Sequence, residues 1–180
     1  FRNLDKICQT EKLITGYKPE DMISEDDFKK LIKAEESHFW KAYFLTLFYG
    51  ACRPTEVCQL KWKDVEFEDD GGAFITIYSK KNRRSFLKYL PKDVAFYLKQ
   101  IKNNDSEWVF LNEKTKRILS KKGAYWKIRD LSEKVLNRKI HLYTLRHSIA
   151  TIIYNKDNIK DDDVAKQMGH TKSMKEKYVH

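Results

Sequence analysis

YTLRH at residues 143–147 opens an apolar segment, and the chain then reads GH at residues 169–170 and KYVH at residues 177–180. This stretch contains Arg146, whose planar guanidinium suits a phosphate, and His147 and His170, which can donate or accept protons. Tyr178 adds a phenol that could attack phosphorus once it is deprotonated. Taken singly, each residue is equally consistent with an ordinary packing or surface role, so the meaning of the stretch depends on what the rest of the chain supplies.

The helical content of this stretch follows from its apolar spacing. Leu145, Ile149 and Ile152 share one helical face, which predicts a helix from near residue 143 to about residue 155. Tyr143 and Arg146 are three residues apart and are therefore expected to be neighbours on another face. A short helix is predicted for residues 161–168, and the glycine that follows is a suitable C-terminal cap that turns the chain toward His170.

The charge of the chain favours a polyanionic partner. Its 36 Lys and Arg outnumber 26 Asp and Glu over 180 residues, which gives a formal net charge of +10. Such a length suits one domain with a substantial core, and a strongly basic surface is typical of nucleic-acid binding. A basic protein that is merely soluble remains the alternative at this point.

Metal, cofactor and membrane functions find little support. Cys8, Cys52 and Cys58 are odd in number and lack the paired spacing of a zinc site, so we expect reduced thiols, a cytoplasmic protein and no metal or cofactor. The most apolar stretch, residues 39–51, includes Lys41 and is far shorter than the roughly 20 residues that a membrane span needs. It predicts a core helix, at about residues 38–49.

Two further helices are predicted near the start of the chain. Ser24 and Asp27 form a capping-box-like start for a helix that runs to about residue 36. After Gly50, the residues RPTE at positions 53–56 begin another helix, with proline in its first turn. Arg53 then lies at a helix N-terminus, where backbone N–H groups favour an anion, although a surface ion pair with Glu56 explains it equally well.

The middle of the chain changes to a strand pattern. Residues 65–67, 74–78 and 86–90 predict a small antiparallel sheet, with a turn at residues 69–72. The tip between the last two strands, KKNRR at residues 80–84, either contacts a nucleic-acid backbone or is a solvated loop. Helices predicted from Pro91 to about residue 103 and over residues 118–136 complete a mainly α-helical fold with a small antiparallel β-sheet (α+β).

In this order and spacing, Arg53 with Glu56, the basic hairpin, Arg146-His147, Gly169-His170 and Tyr178 resemble the catalytic domain of the tyrosine recombinases, or phage-type integrases. The resemblance covers residues 21–180. Residues 1–20 are then expected to be a linker or lead-in from an N-terminal DNA-binding domain, and because the chain opens on Phe1 we expect it to be a fragment of a longer protein.

The resemblance implies a metal-independent enzyme that cleaves and rejoins duplex DNA through a covalent 3′-phosphotyrosyl intermediate, in a virus or another mobile element. Type IB topoisomerase-like relaxation and an inactive DNA-binding module are the alternatives. It also implies a homo-tetramer on double-stranded DNA, with a monomer possible for an isolated fragment. The implied catalytic residues are the nucleophile Tyr178, the phosphate-binding Arg53, Arg146 and His170, the leaving-group acid Lys81 (or Lys80), and Tyr143, with Glu56 in support and Lys80, Arg83, Arg84 and Lys172 on DNA.

Three positions depart from the family pattern. Tyr143 occupies the place of a usual histidine, and a neutral phenol is a poor general base at neutral pH. His141 is expected to replace that histidine only through a non-helical start. The interval from His170 to Tyr178 is one residue short, and Ala51 stands where glycine is usual. The proton acceptor for Tyr178 is therefore left open.

Overall fold

The computed structural model describes residues 22–80, 83–112 and 114–154. Within these ranges the chain forms six α-helices and three strands. The elements in chain order are α1 (Glu25–Ala34), α2 (His38–Tyr49), α3 (Pro54–Cys58), β1 (Val65–Phe67), β2 (Ala73–Ser79), β3 (Arg84–Leu90), α4 (Lys92–Gln100), α5 (Lys121–Leu136) and α6 (Leu142–Tyr154). The predicted class, mainly helical with a small antiparallel sheet, is confirmed.

The central helix is α2, as its apolar composition predicts. Seven consecutive residues, Ala42 to Phe48, are buried, and α2 packs against α1, α4 and α6. Phe28 of α1 stacks on Phe48 with ring centroids 3.8 Å apart. The helix ends at Gly50, where a Cβ would lie 2.6 Å from the carbonyl oxygen of Thr46, so a larger residue does not fit there.

The sheet has the order β1-β2-β3, and both pairings are antiparallel. Ile75 of β2 faces Val65 of β1 on one side and Lys88 of β3 on the other. Side chains alternate between the core and the surface, so Ile75, Ile77 and Ser79 are buried. The same alternation turns Lys88 and Leu90 of β3 inward and leaves Leu87 and Tyr89 outside.

The predicted bounds of two helices were wrong. The helix expected from residue 118 begins at Lys121, because the Ser120 side chain accepts a hydrogen bond from the Gly123 backbone and Ile118 instead pairs with Leu111. The helix expected to reach residue 103 ends at Gln100. Between these two helices, Trp108 forms an isolated antiparallel bridge with Lys61.

Several predictions fall outside the described residues, namely the lead-in at residues 1–20, the helix at 161–168 and the cap at Gly169. In the part of the chain that the structure describes, no helix has the length and apolar character required to cross a membrane.

Candidate active site

Arg53 is fixed at the start of α3 by the glutamate three residues later. Glu56 accepts a hydrogen bond from the Arg53 backbone N–H at 2.7 Å and forms an ion pair with its Nη1 at the same distance. Nη1 also donates to Ser79 Oγ at the end of β2, at 3.2 Å. The Arg53 side chain retains 20% exposure against 9% for Glu56. The carboxylate therefore lies behind the arginine and orients it, while the arginine remains open to a ligand.

The turn at residues 50–52 connects the end of α2 to Arg53. Ala51 has a φ of 46°, in the left-handed region that favours glycine. This is the position at which the tyrosine recombinase pattern usually has glycine, and here alanine adopts the glycine-like conformation. The turn keeps the required shape despite the substitution, so the departure at Ala51 does not displace Arg53 from the start of α3.

Arg146 reaches the same turn from α6. Its side chain is 5% exposed, and Nη1 donates a hydrogen bond to the carbonyl oxygen of Ala51. The two arginines thus meet at a segment of three residues although they are 93 positions apart in the sequence. Arg146 thereby supports the turn that carries Arg53, and each guanidinium presents planar N–H donors of the kind that bind phosphate.

Tyr143 lies one helical turn before Arg146 and is half-buried. The Lys121 ammonium at the start of α5 lies 5.1 Å from the centre of its ring. Its described contact is therefore with the start of α5, while α6 carries it one turn before Arg146.

His141 does not share this position. It precedes α6, is exposed, and lies against Tyr125 with ring centroids 5.3 Å apart. Its backbone N–H donates to Thr144 Oγ1 at 3.4 Å. His141 does lie in a non-helical segment, as it would have to in order to replace the family histidine at position 143. Its ring, however, packs on α5.

The hairpin places Lys80 next to the arginine site. Lys80 is exposed and directly follows Ser79, the residue bonded to Arg53. Arg83 and Arg84 are also exposed, and the Arg84 guanidinium lies 4.8 Å from the centre of the Phe86 ring. Lys81, His170, Lys172 and Tyr178 lie outside the described residues, so their predicted roles stay predictions.

The family comparison agrees with this geometry. A family model described as "Phage integrase family" matches residues 21–180. The chain belongs to this family. The match begins at the boundary predicted for the catalytic domain and includes Arg53, Arg146 and Tyr178.

Curated relatives lead to the same assignment. This phage integrase family member is 30% identical over 156 residues to a tyrosine recombinase of Thermosipho africanus, covering 84% of this chain and 53% of that protein. It is 30% identical over 161 residues to the tyrosine recombinase XerA of Pyrococcus horikoshii, covering 84% and 54%. The chain thus spans about half the length of these relatives.

The fold matches recombinase structures at lower identity. A crystal structure of XerA recombinase superposes with a TM-score of 0.74 at 23% identity, covering 88% of this chain and 60% of that one. A lambda integrase dimer bound to a core site gives a TM-score of 0.65 at 17% identity, covering 89% and 59%. The integrase fold is therefore present in this chain.

Sequence reasoning missed one residue of this integrase site. Lys88 points inward from β3, is 2% exposed, and its Nζ donates to the Gly50 carbonyl at 2.8 Å. Burial is the main cause that lowers its pKa to about 8; the charges of Arg146 and Arg53 act in the same direction, and Cys52 and Glu56 oppose them. Period-two alternation in residues 86–90 could have found it, because it places a lysine on the same face as Leu90.

We expect the integrase to lose stability in acid through His147. Burial first, and then the charge of Arg146, lower the pKa of His147 to about 4. The unfolded chain binds this proton near pH 6.5, so stability is complete above pH 6.5 and falls as the pH drops toward 4. The loss reaches about 3 kcal/mol at pH 4.

Urea unfolding of His147→Gln at pH 7, 5.5 and 4 measures this effect. The variant should lose less stability than the wild-type protein over this range, and the exposed His141→Gln should behave like wild type. Equal acid sensitivity of His147→Gln and wild type would contradict the assignment.

Proposed function

We propose that this chain is the catalytic part of a site-specific DNA recombinase that cleaves and rejoins duplex DNA through a 3′-phosphotyrosyl intermediate on Tyr178. The observation that supports it most is the meeting of Arg53 and Arg146 at one turn, with the basic hairpin joined to Arg53 through Ser79. This arrangement fits a single phosphate of a DNA backbone. Relatives named as recombinases, some in structures bound to DNA, support the same activity.

In the proposed reaction, the Tyr178 oxygen attacks the scissile phosphorus, its proton leaves to an acceptor, and the bond from phosphorus to the 5′ oxygen breaks. Arg53 and Arg146 donate hydrogen bonds to the non-bridging oxygens, on which negative charge increases in the transition state. Glu56 keeps the Arg53 guanidinium in place. The departing 5′ oxygen takes a proton from the hairpin lysine, and attack by a 5′ hydroxyl on the phosphotyrosine reverses these steps to rejoin the strand.

Tyr143 fits the role of a hydrogen-bond donor to the phosphate. A neutral phenol donates as a histidine does, but it is a poor acceptor for the proton of Tyr178 at neutral pH. Water or another side chain then accepts that proton. We further propose a mobile element as the source of the protein, and a tetramer on double-stranded DNA as its working assembly; a transposon integrase among the similar structures supports the former.

Covalent trapping on nicked DNA tests this function directly. The chain is incubated with nicked duplexes whose flanking sequence is randomised, so that the short fragment bearing the 5′ hydroxyl diffuses away after cleavage and the adduct cannot reverse. Adducts that survive denaturation are isolated, and the attached DNA is sequenced to give the target site. Binding without any adduct would instead favour an inactive DNA-binding module, and plasmid relaxation without joining of two selected sites would favour a topoisomerase.

The hairpin lysine is identified by a change of leaving group. If Lys80 or Lys81 protonates the 5′ oxygen, replacing that residue with alanine should slow cleavage by about 10²- to 10⁴-fold, the usual contribution of general acid catalysis. A 5′-bridging sulfur leaves without a proton and should restore the rate of that variant alone. Lys80 is the residue adjacent to Ser79. Retention of the defect on the sulfur substrate would contradict a general-acid role for the residue replaced.

A further inference from the structure

Two buried cations bind neighbouring carbonyl groups of the turn that precedes Arg53. Lys88 donates to Gly50 from the sheet, and Arg146 donates to Ala51 from α6. The Cys52 thiol also donates to the Gly50 carbonyl, at 3.3 Å. Elements that are distant in sequence, β3 and α6, thereby hold the turn from two sides, and the position of Arg53 depends on both.

Lys88 also occupies the negative end of a helix dipole. Gly50 caps α2, which has no basic residue in its own last turn. A cation near the C-terminal carbonyls of a helix is favourable. A capping role of this kind explains the contact with Gly50 but not the choice of lysine for a buried position, because burying an ammonium beside two arginines is unfavourable.

The surroundings of Lys88 include cations that suit an anion. Among the described residues, those whose charge affects the Lys88 pKa include Cys52 of the turn, Arg146 of α6, and Glu56 and Arg53 of the α3 start. The β2 residue opposite Lys88 in the sheet is the apolar Ile75. A phosphate bound at the arginines would add negative charge beside these cations.

Resting on the function proposed above, we infer that Lys88 is a positioning residue of the phosphate site, which holds the turn for Arg53 and whose ammonium form is stabilised by bound DNA phosphate, with proton uptake in alkaline solution. The hydrogen bond to Gly50 performs the first task, and a neutral amine can still make it. The ammonium form performs the second, because its charge adds to the field of Arg53 and Arg146. A variant that removes the donor and the charge tests both tasks together, and a variant that keeps both but does not titrate tests the proton uptake alone.

The proton uptake follows from the properties of Lys88 in the chain without DNA. Its pKa is lowered to about 8, chiefly by burial. A phosphate carries a negative charge and favours the ammonium, so bound DNA raises this pKa. DNA affinity should then decline more steeply above pH 8 in the wild-type protein than in a protein without a titrating group at this position.

Two variants compared with the wild-type protein test the inference, with the exposed Lys92→Met as a matched control. Lys88→Met removes donor and charge, and Lys88→Arg keeps both without titrating. The substrate is a duplex selected by the covalent trapping described above, nicked for cleavage and intact for binding. Affinity is measured from pH 7 to 9.5 at fixed ionic strength, because phosphate contacts depend strongly on salt.

We expect Lys88→Met to cleave about 10- to 100-fold more slowly at pH 7, by analogy with other misplaced catalytic groups. Its affinity for DNA at pH 7 should stay within about threefold of wild type, since the many other phosphate contacts remain. Its midpoint of thermal unfolding should change little, because relief of a buried ammonium offsets the loss of one donor to the Gly50 carbonyl, which still accepts from Cys52. Lys88→Arg should recover most of the cleavage rate, and both variants should lose the additional decline in affinity above pH 8.

Two results would overturn the inference: wild-type cleavage by Lys88→Met, or the same pH dependence of affinity in wild type and both variants. The inference would also be overturned if the Lys88 variants lost thermal stability and activity together while the pH dependence of DNA affinity stayed unchanged. Lys88 would then be only a helix cap. If Lys88→Met fails to fold, the pH dependence of DNA affinity in Lys88→Arg decides whether the inference holds. Absence of an adduct with the wild-type protein would contradict the proposed function instead, and the binding measurements on a plain duplex would still test proton uptake.

Discussion

Tyr178→Phe is expected to form no denaturation-resistant adduct with nicked DNA while it binds the same duplex with nearly wild-type affinity. The substitution removes one oxygen, the proposed nucleophile, and leaves the ring. A tyrosine phenol with a pKa near 10 is only about a thousandth ionised at pH 7, so attack needs deprotonation and a positive environment. In the proposed mechanism Arg53, Arg146 and Lys88 supply that environment, and none of them is altered in the variant.

The adduct is measured on a denaturing gel, and affinity by titration of intact duplex. Tyr97→Phe on α4 serves as a matched control, because it makes the same chemical change on a helix that contributes no residue to the proposed site. It should form the adduct at the wild-type rate. An adduct with Tyr178→Phe would reject this residue as the nucleophile, and peptide mapping of the linked DNA would then locate the residue that attacks.

The local parts of the candidate site could be predicted from sequence. Arg53 and Glu56 are three residues apart at a helix start, and the ion pair considered for them is present: Glu56 pairs with Arg53 and leaves it partly exposed. The anion site considered beside it stays a prediction. The hairpin could likewise be predicted from the alternation of apolar and polar residues along its strands and from the residues of its turn. Such features depend on neighbours in the chain, which a sequence displays directly.

The remaining contacts depend on packing between distant segments. Arg146 and Ala51 are 95 residues apart, and Lys88 and Gly50 are 38 apart. No spacing rule connects such pairs, because their distance is set by how α2, α6 and the sheet pack together. The cation on the Tyr143 ring, Lys121, comes from the start of α5 for the same reason. Sequence could indicate that Lys88 faces inward, but not which carbonyl it binds.

The two arginines are expected to act as one unit, and a double-mutant cycle measures this. Arg53→Ala or Arg146→Ala alone should slow cleavage by on the order of 10²- to 10³-fold, as removal of one donor to a developing oxyanion does. The double variant should be much faster than the product of the two single effects predicts, because once one arginine is gone the phosphate is no longer held for the other. Arg117→Ala, at an exposed position, is the control and should cleave normally.

The two single variants should differ in stability even where they agree in rate. Arg146→Ala removes a buried donor from the Ala51 carbonyl, which costs about 1–3 kcal/mol. Arg53→Ala removes the ion pair of Glu56, whose carboxylate keeps its bond from the residue 53 backbone N–H. Single-turnover rates are therefore compared at a temperature where circular dichroism shows every variant folded. Additive effects on the rate would mean that the arginines act on separate steps and would contradict a shared phosphate, whereas a coupling of at least about 1 kcal/mol places both on the same group.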